Sequence, residues 1–188
     1  MLSAPLGPGA ELCPLEPWQA DELAAFTDRA REHLTPWLPW AHDVKDTASA
    51  RAFLQRYADR QAADTGRIYG IRLDGELVGG MIYRIFSVPQ GSCELGAWLA
   101  PGAQGRGLVT RAAGAMIDWA IGARGLARVE WLVSPLNAPS IAVARRLGMT
   151  CEGTMRSVFA MGGTRHDLQV WALLADEWHK ENAPHPHG

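Results

Sequence analysis

A chain of 188 residues, 47% apolar and 20% charged with eight tryptophans, can bury roughly 70% of its unfolded surface, and this composition excludes disordered, collagen-like and low-complexity classes. A net charge of −2 excludes a general affinity for nucleic acid or for an acidic membrane. No apolar run approaches the ~18 residues of a membrane span, and Met1-Leu2-Ser3-Ala4-Pro5 has no signal-peptide pattern. The expectation is a soluble, cytoplasmic protein made of one domain over residues 1–188, with its core at about 10–178 and a flexible tail over 180–188.

Glu11 to Leu15 reads as a short strand, and Pro17 ahead of Trp18, Leu23 and Phe26 suggests a helix with proline in its first turn. A second helix starts near Asp46 or Thr47, with Ala50, Phe53, Leu54, Tyr57 and Ala58 on one stripe. Between them, Pro36 and Pro39 in the segment His33 to His42 argue against a continuous helix. Ile68 to Leu73 and Glu76 to Phe86 flank Asp74-Gly75, a two-residue type I′ hairpin signal. Glu94 to Leu99 is the next strand, followed by a glycine-rich loop and a helix through Leu108, Ala112, Ala115, Met116 and Trp119 that ends near Gly122 or Gly125. Arg128 to Val133 alternates as a strand does, Asn137-Ala138-Pro139-Ser140 opens a short helix closed by Gly148, and Gly162-Gly163 separates strands at about Thr154 to Ala160 and His166 to Leu174. This mixed order predicts an α+β sandwich rather than a purely parallel sheet.

Cys13, Cys93 and Cys151 are too scattered for a disulfide framework or thiolate metal site, and are expected to be reduced and mostly buried. The histidines are equally dispersed, apart from His185 and His187 in the Pro-rich tail, so no metal is expected. Charge is distributed unevenly. Residues 1–105 carry a net −4, residues 106–146 a net +4 and residues 147–188 a net −2. The positive stretch follows Gln104-Gly105-Arg106-Gly107-Leu108-Val109-Thr110, between a strand and a helix N-terminus. Glycines there let backbone approach a ligand, and unpaired N–H groups at the positive end of the helix dipole favour phosphate. A simple turn beside a solvated arginine face accounts for the same letters. Two other phosphate motifs do not fit: no Lys follows these glycines as a Walker loop needs, and Thr110 stands where a dinucleotide fingerprint needs a third Gly or Ala.

Glu94-Leu95-Gly96-Ala97-Trp98-Leu99, Gln104-x-x-Gly107, Asn137-x-x-Ser140, Arg145-Arg146-Leu147-Gly148-Met149, Asp167 and Leu173-Leu174-Ala175-Asp176-Glu177-Trp178 together resemble the GNAT superfamily of acyl-CoA-dependent N-acetyltransferases. Trp37-Leu38-Pro39-Trp40 and Ala142-Val143-Ala144-Arg145-Arg146 resemble its Rim-type members, which acetylate ribosomal-protein N-termini. The resemblance covers about residues 10–178. It implies a GNAT fold: a mixed, mostly antiparallel sheet flanked by helices and splayed between its fourth and fifth strands, with the pantetheine arm of acetyl-CoA in the gap. By the same resemblance, backbone of Ala97, Trp98 and Leu99 would meet the pantetheine amides and the acetyl carbonyl. Gln104, Gly105, Arg106, Gly107, Leu108, Val109 and Thr110 would hold the pyrophosphate, and Asn137 and Ser140 would meet the pantetheine and the sulfur. Val109 departs from a common Gly or Ala. Ala144 replaces a common Tyr acid, which shifts that role to Ser140 or to water.

Acyl transfer needs a neutral amine, an oxyanion contact and a thiolate leaving group. An α-amine titrates near 8 and Lys at about 10.4, so an N-terminal amine needs far less help from a base. Glu94 is the expected base, directly or through water, the alternative being a structural carboxylate held by backbone or by Arg. His166 and Asp167 are second choices. Cys93 as an acyl-enzyme nucleophile is set against direct transfer in the family and the commoner role of a small buried thiol. One of Trp37 and Trp40 is expected to wall the acceptor groove, alongside Glu94 and His166. The acceptor is thus expected to be a protein N-terminus or a small-molecule amine, with no nucleic-acid or membrane partner and with a homodimer as an option. Other acyl groups such as succinyl, and a CoA-binding module without turnover, are the competing functions.

Overall fold

A computed structural model describes residues 3–182 of the chain. Eight strands form one sheet in the order β1-β2-β3-β4-β5-β6-β8-β7: β1 Ala4–Gly7, β2 Ala10–Pro14, β3 Arg67–Leu73, β4 Glu76–Ser87, β5 Ser92–Leu99, β6 Arg128–Val133, β7 Thr150–Met161 and β8 Thr164–Leu174. Only β5 and β6 pair in parallel; every other neighbouring pair is antiparallel. The tight hairpins follow the sequence signals, with Asp74 and Gly75 at φ +50° and +83° and Gly162 and Gly163 at +58° and +77°, as a type I′ turn requires.

The helices α1 Ala20–Leu34 and α3 Thr47–Ala62 lie on one face, burying Leu23, Phe26, Phe53 and Leu54 with Trp98 of β5. α4 Leu108–Asp118 and α5 Ala138–Arg146 lie on the other, where Met116, Val143 and Ala144 pack with Tyr83, Trp131 and Trp171. Asp46 caps α3 by accepting from the Ser49 N–H at 2.8 Å while Ser49 closes the capping box. Between α1 and α3 the prolines break the helix, leaving a single turn, α2 Trp40–Asp43. α4 passes into a wider turn, Trp119–Ala123, and ends before Gly125 at φ +68°.

Two elements go beyond the sequence reading. β1 is a short edge strand in which Leu6 is fully buried, and its Pro5 is tolerable because only one edge of that strand is paired. α6, Ala175–Asn182, follows β8, and the Trp178 indole donates to Asp118 at 2.7 Å. The remainder of the expected tail, with His185 and His187, lies outside the described residues. Cys93 is buried and Cys13 half-buried, whereas Cys151 is exposed on the edge strand β7.

The feature that positions the site is the seam between β5 and β6. Their ladder runs from Ser92↔Arg128 to Leu95↔Trp131 and stops there. Both strands continue, β5 to Leu99 on β4 and β6 to Val133 on β8, so the sheet is split by a gap between its fourth and fifth strands counted without β1.

Candidate active site

The gap exposes unpaired backbone. Ala100 donates to the Val78 carbonyl at 2.8 Å, and because alternate residues of a strand face alternate edges, Ala97 and Leu99 turn their N–H and C=O groups away from β4 and into the gap. They are the unsatisfied edge of a ladder, suited to an extended chain of amides. The Trp98 side chain points into the α1–α3 core; a Cβ on Gly80 would collide with its indole, so glycine is needed opposite it.

The loop after β5 delivers the chain to α4. Gly105 and Gly107 adopt φ +76° and +70°, and Gly107 is the N-cap with no side chain to satisfy the first helical N–H groups of Leu108, Val109 and Thr110. Arg111 is strapped across this turn, donating to the carbonyls of Leu6 at 2.5 Å and Arg106 at 2.7 Å, and Arg146 reaches Thr110 Oγ1 at 3.5 Å. Arg106 is exposed, and Gln104 meets His33 Nε2 at 2.9 Å. Orphan amides, a helix N-terminus and three arginines suit a diphosphate. Val109 packs on the core beneath the cradle.

On the α4–α5 face of the sheet, Asn137 caps α5 by accepting from the Ser140 N–H at 3.2 Å. The Ser140 hydroxyl oxygen accepts from the Trp131 indole N–H at 2.9 Å. An indole can only donate, so Ser140 retains its own proton for another acceptor. Ala144, at the position of the common Tyr acid, is fully buried in the core.

The opposite face, under α1 and α3, carries carboxylates. Glu94 lies abreast of Glu130 across the last paired stretch of the seam and is only 4% exposed. Arg84 of β4 grips both Glu94 oxygens through its Nε and Nη2. Burial pushes the Glu94 carboxyl up, against the opposing pull of Arg84. Glu130 accepts from Arg128 Nε at 2.7 Å, while the rest of that guanidinium holds Glu152. The expected base is therefore a carboxylate ion-paired to Arg84 beside the gap, which is the structural role weighed for it.

The remaining expectations divide. Trp40 stacks on Phe53 with centroids 5.0 Å apart and meets Trp98 edge-on at 5.2 Å, so it belongs to an aromatic cluster, whereas Trp37 reaches the surface. His166 shares the carboxylate face but sits on the outer hairpin, roughly 13 Å along β8 from Val170, which is paired to Leu132 at the gap. Asp167 points to the other face and accepts from the Ser157 N–H at 2.7 Å, holding a bulge whose Ser157 has φ +58°. It forms no pair with His166. Cys93 is buried among apolar side chains, and burial pushes its thiol up to about 12, which leaves it protonated and inert. Trp131, Arg84 and Glu130 were not singled out from the sequence. Arg84 was within reach, since a hairpin between the two strands sets it near Glu94.

The acetyltransferase (GNAT) domain profile matches residues 14–150, most of the chain. The chain belongs to the GNAT acetyltransferase family. Among its relatives is the putative ribosomal N-acetyltransferase YdaF of Bacillus subtilis, 30% identical over 172 residues and covering 89% of this chain and 92% of that protein. A RimJ structure from Mycobacterium smegmatis in complex with CoA-disulfide superposes with a TM-score of 0.81 at 25% identity, covering 89% of this chain and 83% of that one. A RimL structure, a ribosomal L7/L12 α-N-protein acetyltransferase in complex with coenzyme A, shares the fold with a TM-score of 0.87 at 22% identity, over 94% and 99% of the two chains. This GNAT protein is thus an acetyl-CoA-dependent N-acetyltransferase.

Proposed function

We propose that this enzyme acetylates the N-terminal α-amine of a protein, of the ribosomal-protein type, in the cytoplasm. The relatives' names support the acceptor class, and one observation carries the mechanism. Ser140, with a proton to give, and Glu94, an ion-paired carboxylate, stand on opposite faces of the same gap.

Acetyl-CoA, when bound, supplies an activated acyl group as a thioester. Gly105 and Gly107 open the α4 amides to its diphosphate, with Arg106 and Arg111 adding charge, and Gln104, Leu108, Val109 and Thr110 completing the turn. Ala97 and Leu99 hold its amide arm by backbone bonds, and Asn137 fixes the start of α5 beside it. Glu94, directly or through a water, accepts the proton of the attacking amine; its burial makes it a better base than a free carboxylate. The N–C bond forms as the C–S bond breaks, and Ser140 gives its proton to the departing sulfur while taking one from a solvent water, so the amine proton ends on Glu94 and the serine is restored. An α-amine titrating near 8 suits so weak a base, whereas a Lys amine costs about 3 kcal/mol more to deprotonate.

The test is incubation with acetyl-CoA and a panel of peptides with free or blocked N-termini, read by thiol release and by peptide mass. Acetylation of free α-amines is expected. Inert α-amines beside an acetylated small amine or side chain would reject the reading.

A further inference from the structure

The face of α3 beside the carboxylates carries charge that the mechanism does not use. The Arg56 guanidinium lies over the Phe53 ring at 5.4 Å from its centroid, and the Arg60 guanidinium over Tyr57 at 5.6 Å. Neither has an ion-pair partner among the described residues. Arg60 Nη2 donates to the Arg84 carbonyl at 2.5 Å and to the Thr65 carbonyl at 3.3 Å, which ties this strip to the residue gripping Glu94. Tyr57 is buried, and Arg60, Arg56 and the Arg84–Glu94 pair lie close enough for their charges to act on its hydroxyl.

The aromatic backing makes this more than a solvated helix face. Phe53 is held between Trp40, stacked on it at 5.0 Å, and the plane of Arg56. A guanidinium laid flat on a fixed ring keeps its N–H fork presented with less ordering still to be done on binding. Of the nearby acids, Glu94 is paired to Arg84, and Glu130 and Glu152 to Arg128; Asp59, held by the Gln55 amide at 2.8 Å, keeps its charge but pairs with neither arginine. The strip therefore holds two guanidiniums without an ion-pair partner among the described residues, on the face of the sheet that carries Glu94.

We propose that Arg56 and Arg60 select acceptor peptides carrying a carboxylate within the first few residues behind the N-terminal amine. This rests on the acceptor reading above and adds the class of N-terminus preferred. The carboxylate lies against the two guanidiniums while the amine reaches Glu94, so the pair acts on acceptor binding rather than on the transfer step.

The experiment uses matched peptides bearing Asp, Asn or Lys at positions two to four, acetylated by the full chain and read by mass. The Asp peptide should show a KM about 10-fold below its Asn counterpart at equal kcat, with the gap closing at high salt, as two exposed Arg–carboxylate contacts allow. Arg56→Gln, which breaks no hydrogen bond, should erase part of the preference, and Arg56→Gln with Arg60→Gln all of it, as a KM change. Equal KM for acetylated Asp and Asn peptides, or a preference that survives the double substitution, would overturn the proposal. A panel in which no peptide is acetylated would remove the acceptor reading and this inference with it.

Discussion

The Ser140 hydroxyl is set up by one hydrogen bond, and the size of the acid role proposed for it can be bounded. If the coenzyme thiol titrates like a free cysteine at about 8.5, departure as a bare thiolate at pH 7 costs about 2 kcal/mol, a ceiling of roughly 30-fold. Ser140→Ala is therefore expected to lower kcat by no more than that, with the loss shrinking above pH 8.5; a pH profile of kcat checks it. Asp64 offers a different titration. Its carboxylate accepts from Arg124 at 3.0 and 2.5 Å and also holds Arg67, and both guanidiniums stack on Phe86 and Trp119. Arg124, then Arg67, hold its carboxyl down at about 2 against the opposing effect of burial. A carboxyl depressed by folding stabilises the protein above the unfolded value near 3.9, and that contribution disappears as the pH falls toward 2. Asp64 is partly exposed, so the contribution is about 1 kcal/mol after allowing for solvent. Asp64→Asn keeps a residue type that tolerates its φ of +57°, and should lower the midpoint of urea unfolding at pH 7 while losing that deficit below pH 3.

At the scale of elements, the turn into α4 depends on a backbone shape rather than on a side chain. Gly107 at φ +70° costs a substituted residue about 1–2 kcal/mol, and a Cβ there would stand 2.9 Å from Arg111 Nη1. Gly107→Ala is expected to weaken CoA binding about 10-fold by titration calorimetry, with little change in the kcat reached at saturation. This turn was legible in the sequence because Gly-x-Gly before an apolar helical stripe admits few structures, and the hairpins were legible for the same reason. β1 was not, because four residues with one buried leucine carry no periodicity. The one-turn helix at Trp40 was hidden by its prolines, and the partnership of Ser140 with Trp131 by distance: an inward tryptophan on a strand reads as core, and nothing local says that its N–H faces a serine nine residues on.

Across the whole molecule, the split seam is a region of incomplete backbone pairing inside an otherwise continuous sheet. The amides of Ala97 and Leu99 should exchange with solvent much faster than those of Gly96 and Trp98, which face β4, and should gain protection when CoA is added. Hydrogen exchange resolved to single residues checks this, and equal protection of all four without CoA would contradict an open seam. The family resemblance made this architecture readable from scattered motifs, but the register that stops at Leu95↔Trp131 is a property of strand pairs distant in sequence.

That split has a kinetic corollary. α4, which the glycine turn opens, and α3, which carries Arg56 and Arg60, lie on opposite faces of the sheet, so on the proposed reading a nucleotide and a peptide each come and go by its own door. Neither door is blocked when the other is occupied. Double-reciprocal plots should then intersect for both reactants, and each should associate with the free protein as well as with the half-loaded one, a random order of traffic through a single partition.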